Sequence, residues 1–215
     1  MVDVKICGLS TLESVDAAIN AGAALVGFVF YPRSPRHVSL PQAKKLANHA
    51  RGRAKIVALI VDADDATLQQ IDNIVAPDMY QAHGAETPQR VQEMVALTGK
   101  PVIKAIKVGV IADIARAAAY AGKASLILYD AKAPEALVNA LPGGNGIAFD
   151  WNLLGSAQQS EGFILSGGLT PENVAKAIRV TGAPIVDVSS GVESAPGIKD
   201  LSLIRKFIEA AKAAR

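Results

Sequence analysis

The sequence predicts a closed (β/α)8 barrel forming a single domain over residues 1–215, and three observations carry that prediction. Short aliphatic and β-branched runs alternate with longer helical patterns, and eight such units can be counted along the chain. This alternation implies parallel strands joined by right-handed crossovers. Several runs are apolar on both faces, as strands buried between a barrel interior and a helical shell must be. Eight units favour closure over an open doubly wound sheet, which commonly stops at about five or six strands.

The strands read at residues 2–7, 25–30, 55–61, 79–82, 102–106, 125–129, 163–166 and 185–188. Ser10-Thr-Leu-Glu13 has the spacing of a capping box and opens the first helical pattern, through Val15, Ala18 and Ile19. Leu40-Pro41, Thr87-Pro88 and Thr170-Pro171-Glu172 place proline at a first helical position, where its missing N–H costs nothing. Gly22, Gly52, Gly99, Gly122 and Gly182 follow helical patterns as left-handed caps. The stretch from Ala131 to Glu161 is the one long connection. It holds Pro142-Gly-Gly-Asn-Gly146, expected to be a mobile loop, and Asp150-Trp151-Asn152, expected to open a helix. A last helix reads at 201–214.

Composition narrows the partners. Half of the 215 residues are apolar, which excludes a disordered chain. The 22 basic and 20 acidic residues are interspersed with no basic block, so nucleic acid is not an expected partner. No run reaches the ~20 apolar residues of a membrane span, and no secretory pattern opens the chain. With a single cysteine, these points lead to an expected cytoplasmic location. One cysteine and three histidines show no metal-ligand spacing, so no metal is expected.

In a closed barrel, Cys7 and Asp130 emerge at strand ends on the same rim, where a thiol and a carboxyl can share proton transfer. Lys5 shares a strand face with Cys7, so its ammonium is expected to lower the thiol pKa below the usual ~8.5. Asp130 ends an apolar run, and partial desolvation there suits a general acid. Gly167-Gly168 and Ser189-Ser190-Gly191 end the last two strands, where barrels often hold a phosphate on backbone N–H groups. Acid, base and phosphate seat together describe an isomerase of a sugar phosphate. Arg36, in a loop stiffened by two prolines, offers a planar fork to a carboxylate, and Arg33 is equally available. Gln81 and His83 alternate on one strand, either facing the mouth or forming a structural hydrogen-bonded pair. Asp187 shares a face with Ser189 and is placed to pair with Lys5 across the closure of the barrel.

These residues resemble a known family. Lys5-Ile-Cys-Gly8, Gly27-Phe-Val-Phe-Tyr-Pro32 with Ser34-Pro-Arg36, Phe149-Asp-Trp151, Leu165-Ser-Gly-Gly-Leu169 with Pro171-Glu-Asn-Val174, and Asp187-Val-Ser-Ser-Gly-Val-Glu193 are similar to phosphoribosylanthranilate isomerases. The resemblance runs from Lys5 to about Asp200. It implies a TIM barrel catalysing an Amadori rearrangement in tryptophan biosynthesis, with phosphoribosylanthranilate as substrate, no cofactor, and a monomeric or homodimeric state. It further implies Asp130 as general acid, Cys7 as general base and Arg36 as the site of the anthranilate carboxylate. Gly167, Gly168, Ser190 and Gly191 would hold the phosphate. The chain departs from the family at Tyr80 and Ala82 in the fourth strand and at Tyr129 before the acid, whose hydroxyl is expected on the opposite strand face. Two rival readings are the related sugar isomerase of histidine biosynthesis and a silent phosphate-binding barrel. The first would show a second Gly-rich pair after the third and fourth strands, which is missing, and the second predicts binding without turnover.

Overall fold

The computed structural model describes residues 2–133, 141–146, 148–155 and 162–214, and its sheet closes on itself. Eight strands follow one another around the barrel: β1 (Asp3–Cys7), β2 (Leu25–Phe30), β3 (Lys55–Ile60), β4 (Met79–Ala82), β5 (Val102–Val108), β6 (Leu126–Ala131), β7 (Phe163–Leu165) and β8 (Ile185–Val188). Neighbours are parallel, and β8 returns to pair with β1. The helices are α1 (Leu12–Ala21), α2 (Leu40–Ala50), α3 (Asp65–Val75), α4 (Pro88–Thr98), α5 (Ile111–Ala115), α6 (Asn152–Gly155), α7 (Val174–Thr181) and α8 (Leu201–Ala213).

Sequence parity explains what faces inward. All six residues of β2 are buried, because one face lines the interior and the other lies under helices. Leu25, Val57, Ile103, Ala105, Leu128 and Ile164 form an apolar plug, joined by Met79 and Ile185. Two residues further along the same face stand Gln81, Asp130, Ser166 and Asp187, so these four strands, β4 and β6 to β8, turn from apolar to polar toward the C-terminal rim. The larger cluster, with Phe28, Ile56, Tyr80 and Phe207, glues the outer strand faces to the helices.

Several expectations are corrected in detail. The first cap is Thr11, not Ser10: Ser14 N–H donates to Thr11 Oγ1 (3.2 Å) and Thr11 N–H to Ser14 Oγ (3.3 Å). Pro171 lies in a turn ahead of α7, whose N-cap is Asn173, so the helix starts later than the proline signal suggested. Gly22, Gly99 and Gly182 are left-handed C-caps as expected. Gly52 and Gly122 follow the caps Arg51 and Ala121 instead, and α3 ends on a left-handed Ala76. Strand β5 is longer than read, and β6 extends through Asp130 to Ala131 because backbone pairing with β5 continues past the apolar run. The fifth crossover is the short α5 followed by a 3-10 turn, Arg116–Tyr120. The helix expected at Asp150-Trp151-Asn152 is present as α6, while 134–140, 147 and 156–161 of the long connection lie outside the described residues. An unanticipated antiparallel hairpin, β9 (Glu193–Ala195) with β10 (Ile198–Lys199), follows β8. Tyr129 packs outward, edge-on to Phe163 with ring centroids 5.8 Å apart. Among the described residues no helix is long and apolar enough to cross a membrane.

Candidate active site

The C-terminal rim opens into a cleft ringed by residues from the ends of most strands and from the loops that follow them. Cys7, Arg36, Gln81, His83, Asp130, Gly167, Gly168, Asp187, Ser189, Ser190 and Gly191 all line it. One cleft therefore gathers the candidate residues singled out above except Lys5, which is fully buried, and Arg33, which is exposed, whereas Arg36 is buried and lines it.

Cys7 ends β1 with its side chain nearly sealed from solvent. Gly27, opposite it in register, leaves the space it needs. A Cβ on Gly27 would stand 3.0 Å from Cys7 Sγ and 3.3 Å from Lys5 Nζ. Lys5 Nζ donates to Asp187 Oδ1 at 2.9 Å, the ion pair expected across the barrel closure, and Ser166 Oγ donates to Asp187 Oδ2 at 3.2 Å. The thiol does not behave as expected. Burial pushes its pKa up and outweighs the downward pull of Lys5 and Lys199, while Asp187 pushes the same way as burial. Lys5 spends its charge on Asp187 as well as on the thiol.

Asp130 lies across the cleft, three strands from Cys7 around the ring. Its Oδ1 accepts from Ala131 N–H (3.0 Å), and Oδ2 meets His83 Nε2 at 3.1 Å. His83 Nδ1 in turn meets Gln81 Nε2 at 2.8 Å, which answers the open question about these two: they face the mouth and are bonded to each other. The imidazole thus bridges Gln81 and Asp130, and which of its nitrogens donates depends on its tautomer. Gln81 Oε1 is buried with no partner among the described residues. The segment 141–146 lies over this pair. A Cβ at Gly143 would come 2.5 Å from His83 Nε2 and 2.8 Å from Asp130 Oδ2, so only glycine lets the loop approach the carboxyl this closely.

On the neighbouring strand, the turn after β7 is braced by Asn173, whose side chain donates to Gly168 O (2.9 Å) and accepts from Thr170 N–H (2.8 Å). Ser189 Oγ donates to Cys7 O at 3.1 Å, so this hydroxyl is tied to the end of β1, and Ser190 opens a 3-10 turn, Ser190–Val192. Glycine-rich turns with backbone N–H groups at the ends of the last two strands suit a phosphate.

Two residues of this region escaped the sequence reading as functional. Arg36 is held by Glu193, with Nε to Oε1 and Nη2 to Oε2 both at 2.8 Å. Lys199 Nζ donates to the same Oε1 at 2.7 Å. Their signal was present: opposite charges flank Pro196-Gly197, the mark of a tight hairpin. Among the described residues no three His, Cys, Asp or Glu side chains are grouped as metal ligands.

Comparison with known proteins places this geometry in context. A family model described as N-(5'-phosphoribosyl)anthranilate (PRA) isomerase matches residues 4–210. An N-(5'-phosphoribosyl)anthranilate isomerase of Rhodopseudomonas palustris (strain BisB5) is 53% identical over 212 residues, covering 99% of this chain and 96% of that protein. The crystal structure of phosphoribosyl anthranilate isomerase from Thermotoga maritima superposes with a TM-score of 0.88 at 37% identity, covering 99% of each chain. A phosphoribosyl anthranilate isomerase in complex with reduced 1-(o-carboxyphenylamino)-1-deoxyribulose 5-phosphate superposes with a TM-score of 0.84 at 34% identity, again covering 99% of each chain.

Proposed function

The chain belongs to the N-(5'-phosphoribosyl)anthranilate isomerase family, and from that premise we propose that Cys7 and Asp130 divide its proton transfers between them. It is an aldose–ketose isomerase of tryptophan biosynthesis. The reaction converts N-(5'-phosphoribosyl)anthranilate to 1-(2-carboxyphenylamino)-1-deoxyribulose 5-phosphate. The observation that carries the division of labour is the placement of one thiol and one carboxyl on separate strands of a single cleft, which the glycine-rich turns and a buried arginine also line.

Asp130, protonated, gives its proton to the furanose ring oxygen. The C1–O bond breaks, and the nitrogen lone pair forms a protonated C1=N bond. The Cys7 thiolate then takes the proton from C2. The electrons of that C–H bond form C1=C2, and the C1=N pair returns to nitrogen as an enolamine. Loss of the C2 hydroxyl proton and gain of a proton at C1 give the ketone. The substrate's own nitrogen is the electron sink, so no cofactor enters.

Backbone groups of Gly167, Gly168, Ser190 and Gly191 would take the phosphate, with Asn173 holding the first turn in shape. Arg36 would take the anthranilate carboxylate, and Val29, Leu59 and Val61, which line the cleft beside it, would take the ring. Asp187 acts from the floor by holding Lys5 beside the thiol, and Gln81 and His83 hold the acid. We place the protein in the cytoplasm as a monomer or homodimer, a choice that sedimentation velocity resolves.

The test follows loss of substrate fluorescence for the purified protein, Cys7→Ser and Asp130→Asn. Turnover by the wild type, with each folded variant losing about 10²–10⁴-fold in kcat, supports the reading. An Asp130→Asn enzyme that keeps its rate removes Asp130 from the acid role.

A further inference from the structure

We propose that Lys199 and Glu193 are positioning residues for substrate selection: Glu193 aims Arg36, and Lys199 neutralises Glu193 so that the charge of Arg36 remains available to the anthranilate carboxylate. This rests on the reading that Arg36 binds that carboxylate.

An arginine locked two-pronged to a buried carboxylate is a neutral unit and a poor anion receptor. Arg36 would be one if Glu193 stood alone. Its Nε and Nη2 hydrogens are taken by the two carboxylate oxygens of Glu193, both at 2.8 Å. The other edge faces the cleft beneath the 141–146 segment: Nη2 also donates to Gly144 O at 3.3 Å, and a Cβ on Gly144 would stand 2.6 Å from Nη1. The stem of Arg36 runs over Gly8, where a Cβ would be 2.8 Å from its Cδ. Glu193 thus fixes which edge of the guanidinium meets a ligand.

Lys199 changes the charge count. Its side chain is 1% exposed, and its Nζ donates to Glu193 Oε1 (2.7 Å), Ser189 O (2.8 Å) and Ser189 Oγ (3.2 Å). The Ser189 hydroxyl proton is committed to Cys7 O, so Ser189 Oγ is an acceptor here. Three acceptors around one nitrogen need three N–H donors, which only the ammonium has. Burial, with a smaller push from the charge of Arg36, lowers the Lys199 pKa against the opposing pull of Glu193, so it is the three acceptors around Nζ that carry the case for the ammonium. Burial also works against ionisation of Glu193, but the hydrogen bond from Arg36 and the charge of Lys199 hold its carboxyl below the usual range. Two cations and one anion leave a buried unit of net +1, with its free edge in the cleft.

The hairpin that supplies both residues is pinned to the loop that supplies Arg36. Gly197 N–H donates to Glu193 Oε2 at 3.2 Å, and Gly197 backs so closely onto Pro35 O that a side chain there would collide with it. The hairpin and the loop after β2 therefore form one piece that presents a single guanidinium edge.

The experiment uses equilibrium binding, which does not depend on Cys7 reactivity. Two ligands are compared: reduced 1-(o-carboxyphenylamino)-1-deoxyribulose 5-phosphate and its phenylamino counterpart lacking the carboxyl group. Lys199→Met should weaken the first about tenfold and the second less than about twofold. Adding Glu193→Gln to that variant removes the anion as well and should restore most of the loss. Equal weakening of both ligands, or a double variant no better than Lys199→Met, overturns the proposal in favour of a purely structural hairpin. Should Lys199→Met fail to fold, Lys199→Gln, which keeps an N–H toward Glu193, is read by the same criteria. Arg36→Met is the control for the underlying reading. If it weakens both ligands alike, the carboxylate site itself is misplaced and the proposal falls with it. If Arg36→Met discriminates and Lys199→Met does not, only the proposal falls.

Discussion

Lys5 and Lys104 are both buried lysines on barrel strands, each donating to a carboxylate, yet only Lys5 bears on the cleft. Lys5 holds Asp187 at 2.9 Å and Lys104 holds Glu86 at 2.8 Å, so distance and burial do not separate them. Strand parity does. Lys5 faces the interior beside Cys7, whereas Lys104 lies between the inward-facing Ile103 and Ala105 and so points outward beneath the helical shell. There it also donates to Ala82 O (3.3 Å) and Gly84 O (2.8 Å), while Glu86 accepts from the N–H groups of Asp62 and Gly84. This knot ties the exits of β3 and β4 together. A buried ion pair is therefore no mark of chemistry until the face it occupies is known.

The largest effect that could break this comparison is on folding. Lys104→Met strands Glu86 as an unpaired buried carboxylate and should cost about 3–5 kcal/mol of stability. Thermal or urea unfolding reads that loss, and kcat/KM per folded molecule should stay within about twofold of wild type. A large kinetic defect in the folded fraction would erase the distinction drawn between the two lysines.

Lys5→Met probes the other side. Because burial raises the Cys7 pKa and Lys5 opposes it, removing Lys5 moves the thiol further up. With Cys7 as the proposed base, the thiolate would be the active form, so activity should climb as pH rises toward the thiol pKa, and a higher pKa shifts that limb to more alkaline pH. The expected signature is a loss of about tenfold in kcat/KM at neutral pH that is recovered as the buffer is made alkaline. A loss independent of pH would mean that Lys5 serves only to hold Asp187.

A smaller effect sharpens the contrast at the roof of the cleft. Gly143→Ala places a methyl against His83 and Asp130, so segment 141–146 must lift. Binding of the product analogue should weaken several-fold with little change in unfolding midpoint, since the substituted residue packs on the site and not on the helical shell.

Much of this was legible in the chain. The eight alternations gave closure, and the strand ends of Cys7 and Asp130 gave a shared rim, because parity and parallel crossovers follow from local geometry. The same parity foretold the Lys5–Asp187 pair. The direction of the Cys7 shift was misjudged because a sequence reports the neighbouring charge but not how completely the thiol is buried. Side-chain chemistry alone could not separate Arg33 from Arg36, which only the family resemblance chose, since which one turns inward depends on Glu193, more than 150 residues away in the chain. The start of α7 was misplaced because Pro171 serves a turn before the helix, a choice made by the Asn173 brace on Gly168.

The division of proton transfers between the two walls of the cleft is tested most directly by the kinetic isotope effect with substrate deuterated at C2, measured in parallel on Cys7→Ser and Asp130→Asn. If the thiol is the base, Cys7→Ser makes C–H cleavage limiting and its isotope effect rises above that of the wild type. If the carboxyl is the acid, Asp130→Asn makes ring opening limiting and its isotope effect falls toward one. The reverse pattern, or the same value in both variants, would contradict the assignment.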